Sequence, residues 1–404
     1  MMFLEVISAV LIGCFFGIIT GLIPGIHINL VSLLLISVSG YFLGFVGPVV
    51  LGVFIIAMAV THTFLDVIPS VFLGAPDADT ALAVLPGHKL LLEGRGFEAV
   101  KLATIGSLLC LIAVIAVIPL LVPVVPSVYS FVQPYIGWIL LFVVVFMIAK
   151  EKGIGGKMKG TVVFLFTGIL GIIVLNFPNL EQPLFPMLSG LFGISMLVLS
   201  LLNKTIIPEQ RITEDIQVGP KSLIKTVGAG TFSGSLTGMF PGLGAAQAAI
   251  IGSQLVGRIG NYGFIVLVGG INTVNFVFSL VTLLTLEKAR NGAVVAVLEI
   301  LKSIEIDAFV VFLCSALIAG GIATFLAMGL TRVFSRFITK VDYDKLAFGV
   351  IGLVAVLVFY FSSFIGLFVL IVSSSIGMLP SLFNVKKSLA MGCLLLPVIF
   401  YFIL

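Results

Sequence analysis

Charged residues are scarce in this chain of 404 residues, since only 9% are Asp, Glu, Lys or Arg while 60% are hydrophobic. A water-soluble domain of this length could not bury so much apolar surface, so the composition predicts an integral membrane protein. The apolar runs are continuous rather than alternating with polar residues, which argues against a β-barrel. The net charge of +4 is small and lies in loops, so it predicts membrane orientation rather than nucleic-acid binding.

Several motifs of catalytic chemistry are also missing. The chain has no HExxH zinc motif, no P-loop and no GxSxG nucleophile elbow. Its four cysteines form no CxxC pair and lie in apolar runs, as expected for small hydrophobic side chains: Cys14, Cys110, Cys314 and Cys393. With three histidines besides, we expect no metal site and no cofactor. The first residues lack a basic segment, so we expect no cleaved signal peptide.

One glycine-rich motif occurs twice, at residues 13–25 and at residues 230–242. Seven of the 13 positions are identical, and the shared frame is GxFxGxxTGxxPG. The repeat predicts a duplicated chain, with a first repeat over 1–202, a cytoplasmic linker over 203–222 and a second repeat over 223–404. Helices interrupted at matching places in two halves are typical of a transport site.

Apolar runs predict seven membrane segments in each half. They are about 3–23, 26–46, 48–73, 97–123, 131–149, 160–176 and 184–202, then about 226–240, 243–258, 262–286, 307–330, 346–361, 363–380 and 388–404. Because seven is odd, the second half must run opposite to the first. The predicted fold class is therefore an all-α integral membrane protein with inverted-topology repeats and about 7+7 segments, some of them re-entrant or broken.

Basic residues predict which loops face the cytoplasm. They cluster in five loops: Lys89, Arg95 and Lys101; Lys150, Lys152, Lys157 and Lys159; Lys204, Arg211, Lys221 and Lys225; Arg332, Arg336, Lys340 and Lys345; Lys386 and Lys387. Loops 124–130 and 176–185 carry no Lys or Arg and are predicted to be external, as are both termini. The stretch 288–302 is also external, and acidic neighbours offset its bases. We expect a multi-pass protein of the plasma or inner membrane.

Each copy of the motif ends in Pro-Gly, which interrupts a helix. About 15 residues on each side of Pro241-Gly242 reach roughly 22 Å, which is less than the roughly 30 Å hydrocarbon core, so we predict a re-entrant hairpin. The helix that restarts after each break presents free N–H groups to an anion. The alternative is close helix packing without a ligand. The predicted substrate-binding residues here are Pro24, Gly25, His27, Asn29, Pro241, Gly242, Gly244 and Gln247.

The third segment of each half carries polar residues in an apolar helix. His62 and Asp66 are four residues apart and share a face, so we predict that they couple transport to an ion or a proton. In the second half we assign Asn272 and Thr273 to the substrate and Asn275 to the ion. The alternative is an ordinary hydrogen bond between helices.

A further pair of polar regions follows the third segments. Asp77 and Asp79 suit a coupling cation, either Na⁺ or H⁺. In the matching region Arg290 suits a carboxylate or phosphate by bidentate bonding, and Asn291 completes the predicted substrate site. The alternative for both regions is an ordinary loop with helix caps.

These motifs together resemble a known family. Residues 80–86, 93–99 and 103–107 are similar to the first-half loop of the large permease subunit of tripartite tricarboxylate transporters, which has paired TGxxPG frames as well. Residues 290–293 are similar to its second-half element. One departure is His27, which stands where the family usually has a second glycine. The resemblance implies a small membrane subunit and an extracytoplasmic binding protein as partners. A homodimer is left open.

The leading hypothesis is a secondary active transporter, not an enzyme, that carries a small di- or tricarboxylate-like anion with Na⁺ or H⁺. Its substrate would bind between the two Pro-Gly breaks. A second hypothesis is a translocase of polyprenyl phosphate or another lipid-linked phosphate, since helix N-termini and Arg290 suit that headgroup too. A third is an intramembrane aspartyl hydrolase that uses Asp66.

Overall fold

The computed structural model describes residues 2–23, 39, 41–74, 82, 84–178, 180, 182–202, 208–213, 218–240, 243–257, 259–338 and 343–403. Every regular element in these residues is a helix. The α-helices, in chain order, are α1 Met2–Leu22, α2 Pro48–Leu65, α3 Val67–Phe72, α4 Val84–Leu92, α5 Gly96–Leu121, α6 Val125–Val132, α7 Ile136–Ala149, α8 Gly153–Leu175, α9 Leu184–Leu188, α10 Ser195–Leu202, α11 Pro220–Met239, α12 Ala245–Val256, α13 Gly260–Leu286, α14 Gly292–Leu301, α15 Ile306–Ile338, α16 Tyr343–Phe383 and α17 Gly392–Ile403. Short 3₁₀ helices cover Gln133–Tyr135 and Lys387–Met391, and Ser189–Ile194 is π-helical.

Nine helical stretches among the described residues are long and apolar enough to cross a membrane, when Ala347–Phe383 is counted as one stretch. They fall on the segments that the sequence predicts, which confirms an all-helical multi-pass membrane protein. Most of the predicted segment 26–46 lies outside the described residues, and the 7+7 count stays a prediction. The helices α4 and α14 were not predicted as membrane segments, and each is too short to span.

Some helices begin earlier than hydropathy predicts. α11 begins at Pro220, inside the stretch predicted as linker, and α6 begins with Val125-Pro126 rather than at 131. Proline is favoured in the first helical turn because its missing N–H is not needed there. Hydropathy does not detect this signal.

The helix α16 is two helices joined at Ser363. This residue has φ 54° and ψ −158°, which is not helical. Val358 and Gly366 would be about 12 Å apart along a straight helix. Instead, a Cβ placed on Gly366 would lie 3.3 Å from the Val358 carbonyl oxygen, so the chain turns back on itself here. The predicted break between segments 346–361 and 363–380 is confirmed.

The repeated glycines form the same packing seam in both halves. In the first, a Cβ on Gly17 would lie 2.5 Å from the Cβ of Thr61 on α2. In the second, a Cβ on Gly234 would lie 2.6 Å from the Cβ of Val274 on α13. Each pair of helices can approach this closely because glycine has no side chain.

The next glycine of each seam extends the match. A Cβ on Gly21 would lie 3.2 Å from the carbonyl oxygen of His62, and one on Gly238 would lie 3.0 Å from that of Asn275. The helix pairs α1–α2 and α11–α13 therefore pack in one register, and His62 and Asn275 occupy equivalent places. For these glycines, close helix packing is the observed role.

The helices α2 and α13 lie at the centre, and each packs against a long helix of the other half. Ser107 of α5 donates a hydrogen bond to the carbonyl of Gly269 on α13, at 3.0 Å. Gly52 of α2 faces the ring of Phe312 on α15, so that a Cβ on Gly52 would lie 2.7 Å from its Cζ atom. The halves thus interlock around two buried helices, which places any polar group on those helices in the interior.

Candidate functional site

A buried polar layer joins α2 to α13. The side-chain amide of Asn272 donates a hydrogen bond to a carboxylate oxygen of Asp66 at 2.7 Å. The hydroxyls of Thr63 and Thr273 lie 3.1 Å apart. All four residues are buried. The layer brings together side chains from the two halves at the centre of the molecule.

The position of Asp66 follows from a local break. Pro69 has no N–H, and its ring crowds the carbonyl of Leu65 four residues earlier, so α2 ends at Leu65 and α3 begins at Val67. Asp66 lies at the junction, and Ser70 donates its hydroxyl to the Asp66 carbonyl at 2.9 Å. An acidic residue within the membrane is costly and usually marks an ion or substrate pathway.

His62 lies one helical turn before Asp66 and is buried. Its carbonyl accepts the backbone N–H of Asp66 at 3.0 Å, as the shared helical face requires. The sequence pairs Asp66 with His62, whereas the structure adds Asn272 of the other half as a direct partner of the carboxylate. The coupling role of His62 and Asp66 stays a prediction.

The start of α12 is the second part of the site. Gly244 is its N-cap residue, and since glycine has no side chain, no side-chain hydrogen bond caps this end of the helix. The buried Gln247 has a side-chain oxygen without a hydrogen-bond partner in the described structure. A Cβ on Gly244 would lie 2.8 Å from that oxygen, so glycine leaves room for the amide. Free N–H groups at a helix N-terminus suit an anion, and the unpartnered Gln247 oxygen can accept a hydrogen bond from a donor group of the ligand.

Gln247 lies at about the same depth as Asn272. Gly252 packs against Leu267, since a Cβ there would lie 3.2 Å from Leu267 Cδ1. Only residues 257–259 separate α12 from α13, so the two helices run antiparallel. Gln247 lies five residues before Gly252, or about 7.5 Å along α12. Asn272 lies five residues after Leu267, or about 7.5 Å in the same direction along the antiparallel α13.

Asn275 is half-buried in a stretch of α13 that is otherwise fully buried from Ile265 to Leu283. Its backbone lies against Gly238, near the end of α11. A polar side chain at this depth is stable only beside protein or a wet cavity. Asn275 thus borders the region where the second Pro-Gly break follows Met239.

A cationic cluster lies beside the same break. The ring of Tyr129 stacks on that of Phe240, with centroids 5.6 Å apart. Arg290 and Lys288 donate hydrogen bonds to the Tyr129 hydroxyl at 3.3 and 3.4 Å, and both cations lie over its ring. The buried Nε of Arg290 has no hydrogen-bond partner in the part of the chain that the structure describes.

Asn291, the neighbour of Arg290, is the N-cap of α14. Its side-chain oxygen accepts the backbone N–H of Val294 at 2.9 Å. Asn291 therefore caps the helix, which was the alternative to a substrate-binding role. Only the NH₂ group of its side-chain amide is left for a ligand.

Several predicted residues lie outside the described residues, and their roles stay predictions. They are Pro24, Gly25, His27, Asn29, Asp77, Asp79, Pro241 and Gly242. Sequence reasoning missed Tyr129, because a single aromatic residue in a predicted loop gives no signal of its contacts. Among the described residues, no group of three His, Cys, Asp or Glu side chains could hold a metal ion.

A multi-pass helical bundle with a buried polar layer at its centre has the architecture of a membrane transport protein. The chain belongs to the tripartite tricarboxylate transporter TctA family, whose model matches residues 7–392. An uncharacterized protein of Methanocaldococcus jannaschii is 30% identical to it over 406 residues, which cover 97% of this chain and 98% of that one. No solved structure matches.

Membership confirms the resemblance given by the motifs. The family consists of transporters, so the expectation of a non-enzyme is confirmed, and the hypothesis of an intramembrane hydrolase is set aside. The family also belongs to a tripartite transport system, in agreement with the expectation of further subunits.

Proposed function

We propose that the protein is a secondary active transporter of a small di- or tricarboxylate-like anion, coupled to Na⁺ or H⁺. The anion binds at the start of α12, where the free N–H groups of the first helical turn supply donors. The coupling ion binds at Asp66, whose carboxylate faces Asn272 of the other half. The observation that carries the proposal is this buried contact between the two halves.

The arrangement of the halves supports alternating access. The seams α1–α2 and α11–α13 share one register, as expected for two copies of one unit. An inverted relation between them, with both termini external in the cell membrane, would let the halves exchange conformations and move the site from one face to the other. A small membrane subunit and an extracytoplasmic binding protein would deliver the anion.

A re-entrant second motif fits the length of α12, whereas α11, with 20 residues and a length of about 30 Å, is longer than the predicted arm and could span the core. α12 has 12 residues and is about 18 Å long, so it cannot cross a hydrocarbon core of roughly 30 Å. Met239, Phe240, Leu243 and Ala245, on both sides of Pro241-Gly242, are buried. A re-entrant hairpin whose flanking residues are buried places the start of α12 inside the protein.

A ligand screen tests the proposal. Purified protein is heated with di- and tricarboxylates, amino acids and prenyl phosphates, each with Na⁺ and with K⁺. A ligand at 100 times its Kd stabilises the native state by about 2.7 kcal/mol, so we expect a di- or tricarboxylate to raise Tm. Stabilisation by prenyl phosphates alone would instead support the lipid-linked phosphate hypothesis.

Gly242 lies at the proposed tip, and Gly242→Leu is expected to abolish uptake in proteoliposomes. A leucine side chain would obstruct the close approach of the backbone to the anion. The variant should still insert in the membrane and elute as a single species from a sizing column. Normal uptake by such a protein would remove the site from this break.

Arg290→Ala is expected to weaken substrate binding at least about 10-fold, or about 1.4 kcal/mol, because it removes a guanidinium beside the second break. The measurement is the Kd from ligand-dependent Tm. Lys302→Ala is the matched control, since Lys302 is exposed and pairs with Glu299 at 3.1 Å. Equal Kd values for Arg290→Ala and the control would exclude Arg290 from the site.

A further inference from the structure

Four lysines line one cavity of about 890 Å³ between the ends of several helices: Lys89, Lys150, Lys386 and Lys387. They come from three loops that the sequence predicts on the cytoplasmic side, and the structure brings them together. No acidic residue belongs to the described part of the cavity wall. The described cavity wall is therefore rich in lysine and carries no carboxylate of its own.

Lys387 is the most unusual of the four because it is buried, with 7% of its surface exposed. Its ammonium group donates to the Ser195 hydroxyl at 3.2 Å and to the carbonyl of Phe192 at 3.5 Å. Phe192 belongs to the π-helical turn Ser189–Ile194, a kind of distortion that is often found at functional sites. Both partners are neutral.

The carboxylates near the cavity pair with other lysines and do not neutralise Lys387. Lys386 pairs with Glu151 at 3.8 Å, and the exposed Lys89 pairs with Glu93 at 3.9 Å. Lys150 donates to the neutral side-chain oxygen of Gln254 at 2.8 Å. Within the described residues, Lys150 and Lys387 thus have no carboxylate partner.

An uncompensated buried ammonium costs several kcal/mol. Burial accordingly lowers the pKa of Lys387 to about 7. Burial also lowers the pKa of His88, which faces Lys387, so this histidine is neutral at physiological pH. A bound anion would offset the cost of the charged lysine.

The cavity lies close to the proposed substrate site. Ile250 of α12 belongs to its wall, and Gln247 is one helical turn further along the same helix, about 4.5 Å by axial rise. An anion leaving the start of α12 along this helix would enter the lysine cavity next.

We propose that this cavity is a second anion-binding site, which takes a carboxylate or phosphate group between Lys150 and Lys387. Its place on the path of the transported anion rests on the proposed function, whereas binding itself does not. The anion is either free in solution or the headgroup of an acidic lipid, since both carry the same group.

Calorimetric titration of sulfate and of citrate tests the site, with purified protein in which Gly242→Leu obstructs the proposed substrate site at the start of α12. We expect binding to persist in this variant and its Kd to rise at least about 10-fold when Lys387→Gln or Lys150→Gln is added. Lys302→Gln, far from the cavity in sequence and paired with Glu299, is the charge-matched control and should leave the Kd unchanged. Lys150→Gln changes an exposed residue, so it keeps the test valid if Lys387→Gln fails to fold.

A lipid experiment distinguishes the two sources. The protein is reconstituted in nanodiscs of phosphatidylcholine with or without phosphatidylglycerol. Native mass spectrometry then measures the mass of the released protein and of any lipid that it retains. Retention of phosphatidylglycerol by the wild type, lost in Lys387→Gln, would assign the site to a lipid headgroup. If neither free anions nor phosphatidylglycerol depend on Lys150 and Lys387, the proposal is overturned. Loss of all anion binding in Gly242→Leu alone would also overturn it, because no second site would then exist.

Discussion

Asp66→Asn is expected to reduce uptake by proteoliposomes at least about 100-fold while the protein stays folded. Asparagine has nearly the same shape as aspartate and can still accept the hydrogen bond from Asn272, so the contact between α2 and α13 is kept. The negative charge is lost, and a coupling cation can no longer bind there. Initial rates of uptake under a Na⁺ or H⁺ gradient measure the effect.

Ser279→Ala is the control for this prediction. Ser279 follows Asn275 by one helical turn as Asp66 follows His62, so it is the equivalent position in the α11–α13 helix pair. Within the described residues its hydroxyl donates to the neutral carbonyl of Asn275 at 2.7 Å, so we expect near-normal uptake. Gradient-driven uptake by Asp66→Asn at the wild-type rate would exclude the carboxylate from coupling.

Gly234→Leu should destabilise the fold by about 3 kcal/mol or more, the largest stability effect we expect. The new side chain would begin 2.6 Å from the Cβ of Val274 and force α11 away from α13. Gly228→Leu, on the same helix, meets no atom within 4 Å and should be tolerated. The midpoint of thermal unfolding in detergent, followed by size-exclusion chromatography, compares the two.

The duplicated seam makes a matched prediction in the first half. Gly17→Leu should lower the midpoint as much as Gly234→Leu, because its Cβ would lie 2.5 Å from that of Thr61. A normal midpoint for either variant would show that the two helix pairs do not pack as described.

The sequence predicted most of the helices because each apolar run is long enough to cross a bilayer and few are interrupted. It also located the break near Ser363, where two segments meet without an intervening charge. It could not locate the starts of α6 and α11, since their first turns are polar or depend on proline. The role of the motif glycines in packing depends on which helix lies opposite, and no local pattern in the sequence gives that.

The candidate site was predictable in its residue types but not in its contacts. Asp66 and Asn272 are recognisable as polar residues in apolar helices, yet their contact joins residues that are distant in sequence. Local spacing paired Asp66 with His62 because a helix brings positions four apart together. Tyr129 and the lysine cavity arise only when separate loops fold onto one another.

A structure with bound ligand tests the central claim most directly. The ligand is the di- or tricarboxylate that raises Tm most in the screen, added with its coupling ion. We predict an anion within hydrogen-bonding distance of Gln247 and the first N–H groups of α12, and a cation at Asp66. An anion bound only on the lipid-facing surface, with the start of α12 and Asp66 in contact with protein alone, would contradict the account.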